Sequence, residues 1–480
     1  MTARLSFLAL GLLLPIAAGA QTLDRNVQPT PGKAPPLRVP TWTTSTLANG
    51  ARLVVIEKHD LPLVAVDVDF VGGATSYEPA GKTGLANFAA QMLKEGTTTR
   101  TADQLSDAQQ LLGTTINAQI GTETGEIGFT ALKSKLGPAL DLVADMMLHE
   151  TDPAASLERL RGQTLVALTQ RRDQPNAIAQ NVFSRVVYGD THPYGRVLTE
   201  SSVKAITRDD VVAFQKAYFQ PGHAVITVAG DVDPATVKAQ VERAFASWPA
   251  GGAQPSFAYG DVPAPRARTI YLIDKPGAAQ SVFAFGTPGP ARNTPDYYAL
   301  QVMNTLLGGM FQSRLNHDIR EVKGFSYGVS SRFAYGRGPG AFLAGGGIVS
   351  AKTDSALMGF MQHFRGVRGD VPFTDDEIEQ GKAALVQSLP GRFASVDGIA
   401  SAVSQIYTQG LPESYWRDYA ARVNAVTRDD LVRVAKKYID VDHMDLVIVG
   451  DRAKIEAPLR ATGIAPIVVL DADAKPVPTP

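Results

Sequence analysis

The sequence predicts an α+β protein made of two homologous domains, and three observations carry that expectation. Short β-branched strand patterns are interleaved with longer helical patterns, without the regular strand–helix–strand rhythm of a parallel sheet. The segment Ile206 to Asp231, ITRDDVVAFQKAYFQPGHAVITVAGD, returns as Val426 to Asp451, VTRDDLVRVAKKYIDVDHMDLVIVGD, with ten of 26 positions identical and no gap. A joint rich in Gly and Pro, 248–266, stands between the copies, with Gly251-Gly252 and Pro263-Ala264-Pro265 as its breakers. Each copy of the repeat reads as an N-capped helix followed by a β-branched strand, so a gapless match of this length marks a duplicated unit. At 480 residues and 44% apolar, the chain is long enough for two cores.

Taken in order, the chain opens with Arg4, an apolar run Leu5 to Ala18, and the small-residue triplet Ala18-Gly19-Ala20. This is the pattern of a cleavable signal peptide over 1–20, and it implies export, most simply to a bacterial periplasm. The run is short for a bilayer, and no later stretch is long enough for a stable membrane span. There is no Cys, which excludes a lipoprotein anchor, disulfides, thiolate metal sites and a Cys nucleophile. Residues 21–44 form a Pro- and Thr-rich flexible leader.

The first domain, 45–247, begins at the Asn49-Gly50 turn, with strand patterns at 51–57 and 63–70. A helix follows near 85–93, and Thr101 with Gln104 forms a capping box before 105–112. Strand alternation over 114–132 precedes helical patterns at 134–149, 156–172 and 176–187. The second domain, 267–470, shows strand patterns at 269–273, 281–285, 326–333 and 341–349, helical patterns at 295–307 and 311–322, and a Thr374/Glu377 capping box before a long helical stretch. The tail, 471–480, is Pro- and Ala-rich and reads as disordered.

Net charge is −1 with no block of like charges, so there is no footprint for nucleic acid. The seven His stand at 59, 149, 192, 223, 317, 363 and 443, never two within four residues, so no local two-His metal motif exists. His192, in His192-Pro193-Tyr194-Gly195-Arg196, reads as a packing residue. So do His223 and His443, which recur at equivalent places in the repeat.

Two stretches carry the chemistry. In Gly84-Leu85-Ala86-Asn87-Phe88-Ala89-Ala90-Gln91-Met92-Leu93-Lys94-Glu95-Gly96-Thr97 the apolar residues fall on one helical face, after a strand pattern and the Gly72-Gly73 turn. This arrangement resembles the pitrilysin/insulinase family of zinc peptidases. There the helix bears His-x-x-Glu-His, in which two imidazoles one turn apart hold zinc and the Glu polarises its water. Here the three positions are Asn87, Ala90 and Gln91. The family's third ligand, a Glu on a later helix, falls at Ala167 when aligned on Asp173-Gln174-Pro175. Methyl groups offer no lone pair and amides are poor zinc ligands. The resemblance therefore implies a zinc site lost at all four positions and no cofactor in this chain.

The second stretch, Ser313 to Tyr327, has a helix ending in Arg320-Glu321-Val322-Lys323-Gly324 and a Tyr opening the next strand. Family members use an Arg and a Tyr at this same spacing to hold substrate backbone and stabilise charge on the scissile carbonyl. The equivalents are Arg320 and Tyr327. Guanidinium and phenol are both donors, as a developing oxyanion requires. The resemblance also implies that each domain is an antiparallel sheet covered by helices, that two domains make half of a clamshell, and that a non-catalytic chain of this kind works beside a homologous zinc-bearing subunit on peptide substrates. Two other readings stay open: a peptide-binding or assembly protein with no role in catalysis, and a stand-alone zinc peptidase with other ligands.

Overall fold

The β-branched runs become strands of two six-stranded sheets that repeat one another. The computed structural model describes residues 37–253, 255, 257 and 259–477, so the signal-peptide expectation and most of the leader lie outside the described residues. From Arg38 onward the chain forms one compact unit. The first sheet contains β1 (Thr43–Thr46), β2 (Arg52–Glu57), β3 (Leu63–Val71), β4 (Asn117–Ile120), β5 (Thr124–Leu132) and β6 (Ala224–Gly230), in the order β1-β2-β6-β3-β5-β4. The second contains β7 (Thr269–Asp274), β8 (Gln280–Pro288), β9 (Ser326–Ala334), β10 (Ala341–Val349), β11 (Asp445–Gly450) and β12 (Ile467–Leu470), in the order β12-β7-β11-β8-β10-β9. Five positions correspond one to one; only the outermost strands, β1 and β12, enter differently.

Antiparallel pairs predominate, as expected, but the sheets are mixed. β6 runs parallel to β2 and antiparallel to β3, and β11 likewise runs parallel to β7 and antiparallel to β8. The reason is geometric. β2 and β3 are joined by only 58–62, which favours a hairpin, yet β6 is wedged between them. A strand inserted between two antiparallel neighbours must be parallel to one of them. Every residue of β6 and of β11 is buried, as wedging demands.

The repeat is reproduced at its caps. Thr207 and Thr427 close capping boxes with Asp210 and Asp430 at the starts of helices Arg208–Tyr218 and Arg428–Tyr438. The two His of the repeat differ, however. His223 is buried, its Nε2 donating to Tyr218 O at 2.6 Å, whereas His443 is exposed beside Asp440, 2.7 Å away. Packing accounts only for the first copy.

One connection was invisible in the sequence. Helix Pro175–Tyr188, from the first half, lays Ile178, Val182 and Phe183 on β8 and β11 of the second sheet. Helix Val396–Thr408, from the second half, packs on β3 and β6 of the first. The two helices are equivalents in the duplication: Pro175 precedes Ile206 by the same interval as Ser395, the N-cap of the second helix, precedes Val426. Each half thus lends a helix to cover the free face of the other's sheet. Along β3 the alternation follows this division: Val64, Val66, Val68 and Phe70 join the first core, while Asp67 and Asp69 face the lent helix.

The tail also departs from expectation. Asp471 Oδ1 accepts from the amides of Asp473 (2.9 Å) and Lys475 (2.8 Å), and Val477 N donates to Val469 O at 3.0 Å. This Asx-type turn holds 471–477 against β12 rather than leaving them disordered, and 478–480 lie outside the described residues.

Candidate functional site

The first candidate element is helix Leu85–Met92. Gly84 starts it with φ 105, a left-handed conformation that favours glycine. Glu78 reaches over from outside, its Oε1 accepting from the amides of Gly84 (3.0 Å) and Ala86 (2.8 Å). This satisfies amides the helix itself cannot, and places negative charge at its positive end. Burial raises the Glu78 carboxyl above its usual range, and those same amides oppose the shift. Leu85, Phe88, Ala89 and Met92 enter the first core.

Asn87, Ala90 and Gln91 share one face of this helix, but unequally. Asn87 is exposed, Gln91 is half-buried and Ala90 is only 1% exposed. Asn87 lines a cavity of about 360 Å³ together with Thr164, Arg171 and Arg196. Ala167 stands one turn beyond Thr164 on helix Ala154–Arg171 and is exposed. The donor set does not fit zinc: it offers two amides and two methyls, and the cavity beside Asn87 adds two guanidiniums and one carboxylate, Glu78, already held by the Gly84 and Ala86 amides. Among the described residues, no three His, Asp or Glu are grouped so that they could hold a metal ion.

Arg320 and Tyr327 do not line that cavity. Arg320 lies in the wide helical turn His317–Val322, its guanidinium 4.4 Å from the Phe311 ring centre and 3.3 Å from Glu321. Gly324, at φ 65, turns the chain into β9, the edge strand of the second sheet, where Tyr327 is second. Asn316 fixes this corner: it donates to Phe311 O at 2.7 Å and accepts from Val329 N at 3.1 Å. Tyr327 is 89% exposed and Phe311 64%. Arg320 therefore lies against an exposed aromatic, and Tyr327 is exposed near the start of the edge strand that follows.

Comparison with known proteins bears on both elements. Residues 52–196 match the model described as Insulinase (Peptidase family M16), and 205–385 match the one described as the Peptidase M16 inactive domain. An uncharacterized zinc protease of Mycobacterium leprae is 30% identical over 346 residues, covering 71% of this chain and 76% of that one. The chain belongs to the peptidase M16 family. An uncharacterized zinc protease of Streptomyces coelicolor is 28% identical over 405 residues, 82% of this chain and 86% of its own. A crystal structure of a peptidase M16 inactive domain from Pseudomonas fluorescens superposes with a TM-score of 0.78 at 26% identity, covering 85% of this chain and 98% of that one. The fold is also that of the periplasmic protease PqqL from Escherichia coli, with a TM-score of 0.73 at 16% identity, where this chain spans 49% of the other.

Within this M16 chain, helix 85–92 falls inside the insulinase match and Arg320 and Tyr327 inside the inactive-domain match. Sequence reasoning missed a different cluster, at the seam between the halves. Asp69 is buried and accepts from Ser404 on the lent helix; Thr130 likewise donates to Asp397. Burial, then the neighbouring carboxylates Asp69, Glu126 and Asp397, pushes Asp67 up to about 8, and burial pushes Asp69 up to about 7 against the pull of the Ser404 hydroxyl. The signal was present: two Asp at alternate positions in an otherwise apolar strand mark a face with its own partner.

Proposed function

We propose that this chain is the non-catalytic subunit of a periplasmic heterodimeric M16 peptidase, and that it offers Arg320 and Tyr327 in trans to a homologous zinc-bearing subunit acting on peptides. The observation that carries this reading is the asymmetry between the two elements. The positions that would hold zinc are occupied by Asn87, Ala90, Gln91 and Ala167, while the donor pair stays intact, with Tyr327 exposed on an edge strand. In this reading, two such halves close as a clamshell, and the phenol of Tyr327 and the guanidinium of Arg320 donate to a peptide held between them. Their catalytic value would lie in donors fixed where oxyanion charge develops. The apolar run at 5–18 supports export.

The test is reconstitution. This chain alone should not cleave peptides, and should do so when mixed with a homologue carrying an intact His-x-x-Glu-His. In the pair, Tyr327→Phe should lower kcat by about a hundredfold, the usual scale for removing one such donor. Arg320→Ala should weaken substrate binding and turnover together. Sedimentation of both mutant pairs should still show the heterodimer. Wild-type cleavage rates from both mutants would sink the in-trans role and leave the peptide-binding or assembly reading in its place.

A further inference from the structure

A second cavity, of about 540 Å³, lies on the seam between the two halves. Its walls include the β4–β5 turn, the β9–β10 turn, the second half of helix 175–188 and the end of helix 396–408. Four arginines line it, Arg196, Arg292, Arg332 and Arg337, against a single carboxylate, Glu123, for a formal balance of +3 (4 − 1).

None of the four guanidiniums is in an ion pair with a described carboxylate; each hydrogen-bonds to, or stacks on, a neutral group. Arg196 donates to Glu78 O at 3.4 Å, Arg332 to Gln180 Oε1 at 3.4 Å, and Arg337 to Thr408 O. The guanidinium of Arg292 lies over the Tyr297 ring, 3.6 Å from its centre, and its Nη2 is buried with no partner. Glu123 offsets one of the four charges from a distance, its oxygens accepting from Tyr194 Oη, Tyr259 Oη (2.5 Å) and the Arg337 amide (2.7 Å) rather than from any guanidinium. That carboxylate ties the two turns together. The arginines still outnumber the carboxylates.

An excess of guanidiniums over carboxylates in a half-enclosed cavity holds a strong field for an anion, and the planar forks match a carboxylate. The volume is that of a small organic ligand or a short piece of chain, far more than an inorganic ion fills. Gln409 also lines this cavity, and its Oε1 is buried without a donor. The cavity shares Thr122, Pro193 and Arg196 with the one that Asn87 lines, so the two adjoin.

We propose that the seam cavity binds the carboxylate of a peptide, either a Glu or Asp side chain or a free C-terminus, so that this subunit selects acidic peptide segments. The assignment uses the peptidase fold but not the in-trans role of Arg320 and Tyr327, so the two stand or fall separately.

The experiment is fluorescence anisotropy on the isolated chain with a labelled short peptide ending in two Glu with a free carboxyl terminus. The comparison peptides are the same sequence amidated, and one ending in two Gln and amidated. The acidic free-acid peptide should bind about tenfold or more tightly than the neutral one, with the preference falling as salt rises. The amidated Glu peptide distinguishes side-chain from terminal carboxylate. Arg332→Gln, at an exposed position, and Arg292→Gln should each cut affinity for the acidic peptide about tenfold and leave the neutral peptide unchanged. Thermal melting checks that each variant is folded, and Arg332→Gln keeps the test decisive if Arg292→Gln is not. Equal affinity for acidic and neutral peptides, or unchanged affinity in folded Arg332→Gln, overturns the proposal. So does displacement of the peptide by inorganic phosphate at concentrations where acetate leaves it bound, which would make this a phosphate site.

Discussion

Truncating Phe183 to Ala should destabilise the half of the molecule to which Phe183 does not belong in sequence. Phe183 sits on helix 175–188, is 2% exposed, and packs among Val282, Ala284, Leu343 and Val447 of the second sheet. Its ring lies directly over Gly286 of β8: a Cβ added at that glycine would come within 2.8 Å of Phe183 Cζ. The ring therefore fills a slot with backbone as its floor, and a strand backbone relaxes little into a void. Phe→Ala at such sites costs about 3–5 kcal/mol, transfer and cavity together. At about 2–4 °C per kcal/mol for a unit the size of one half, the midpoint should fall by about 6–20 °C. Calorimetry gives that shift, and hydrogen exchange locates it: protection should drop in β8 and β11, with β3 and β6 following only if the halves unfold together. Val166→Ala, at an exposed position of a neighbouring helix, is the control, with an expected change under about 0.5 kcal/mol. A loss below about 1 kcal/mol, far short of the cost expected for a filled core slot, or lost protection confined to the first sheet, would show that the lent helix does not hold the second half.

Four further outcomes follow from the site and the seam. Asp67 and Asp69 have raised folded pKa values, so the folded state binds more protons than the unfolded one; their contribution is fully present below the ordinary carboxylate range and is lost as pH rises through about 7 and 8. Urea midpoints should fall over that window, and Asp69→Asn, which keeps an acceptor for Ser404, should flatten the fall; an unchanged slope would refute the assignment. Elemental analysis of the dialysed protein should find no stoichiometric zinc, and one tightly held zinc per chain would contradict the site described above. The triple variant Asn87→His, Gln91→His, Ala167→Glu should gain zinc binding by calorimetric titration. Adding Ala90→Glu should lower the melting temperature, because Ala90 is 1% exposed and a carboxylate there is buried without a partner, a cost of about 1–3 kcal/mol or more.

The site was partly legible. Asn87, Ala90 and Gln91 could be placed on one helical face because their spacing is local, and Arg320 and Tyr327 on a helix end and the next strand for the same reason. Their exposure was not legible: that Ala90 is closed over while Asn87 is open depends on what packs against the helix.

What the sequence determined by itself is what neighbours along the chain decide. The duplicated Thr207 and Thr427 caps, the strands read from alternation, and the exchange of metal ligands for amides and methyls need no partner distant in the chain to be recognised. The tertiary structure alone decided what depends on closure over long separations. β6 lies between β2 and β3 because a strand from the far end of the first half enters the gap, which no periodicity encodes. Helices 175–188 and 396–408 carry ordinary apolar faces, and an apolar face does not say which sheet it will cover. Arg196 and Arg337 belong to different halves of the chain, and each alone reads as a solvated side chain; only the seam brings them to one cavity in which arginines outnumber carboxylates.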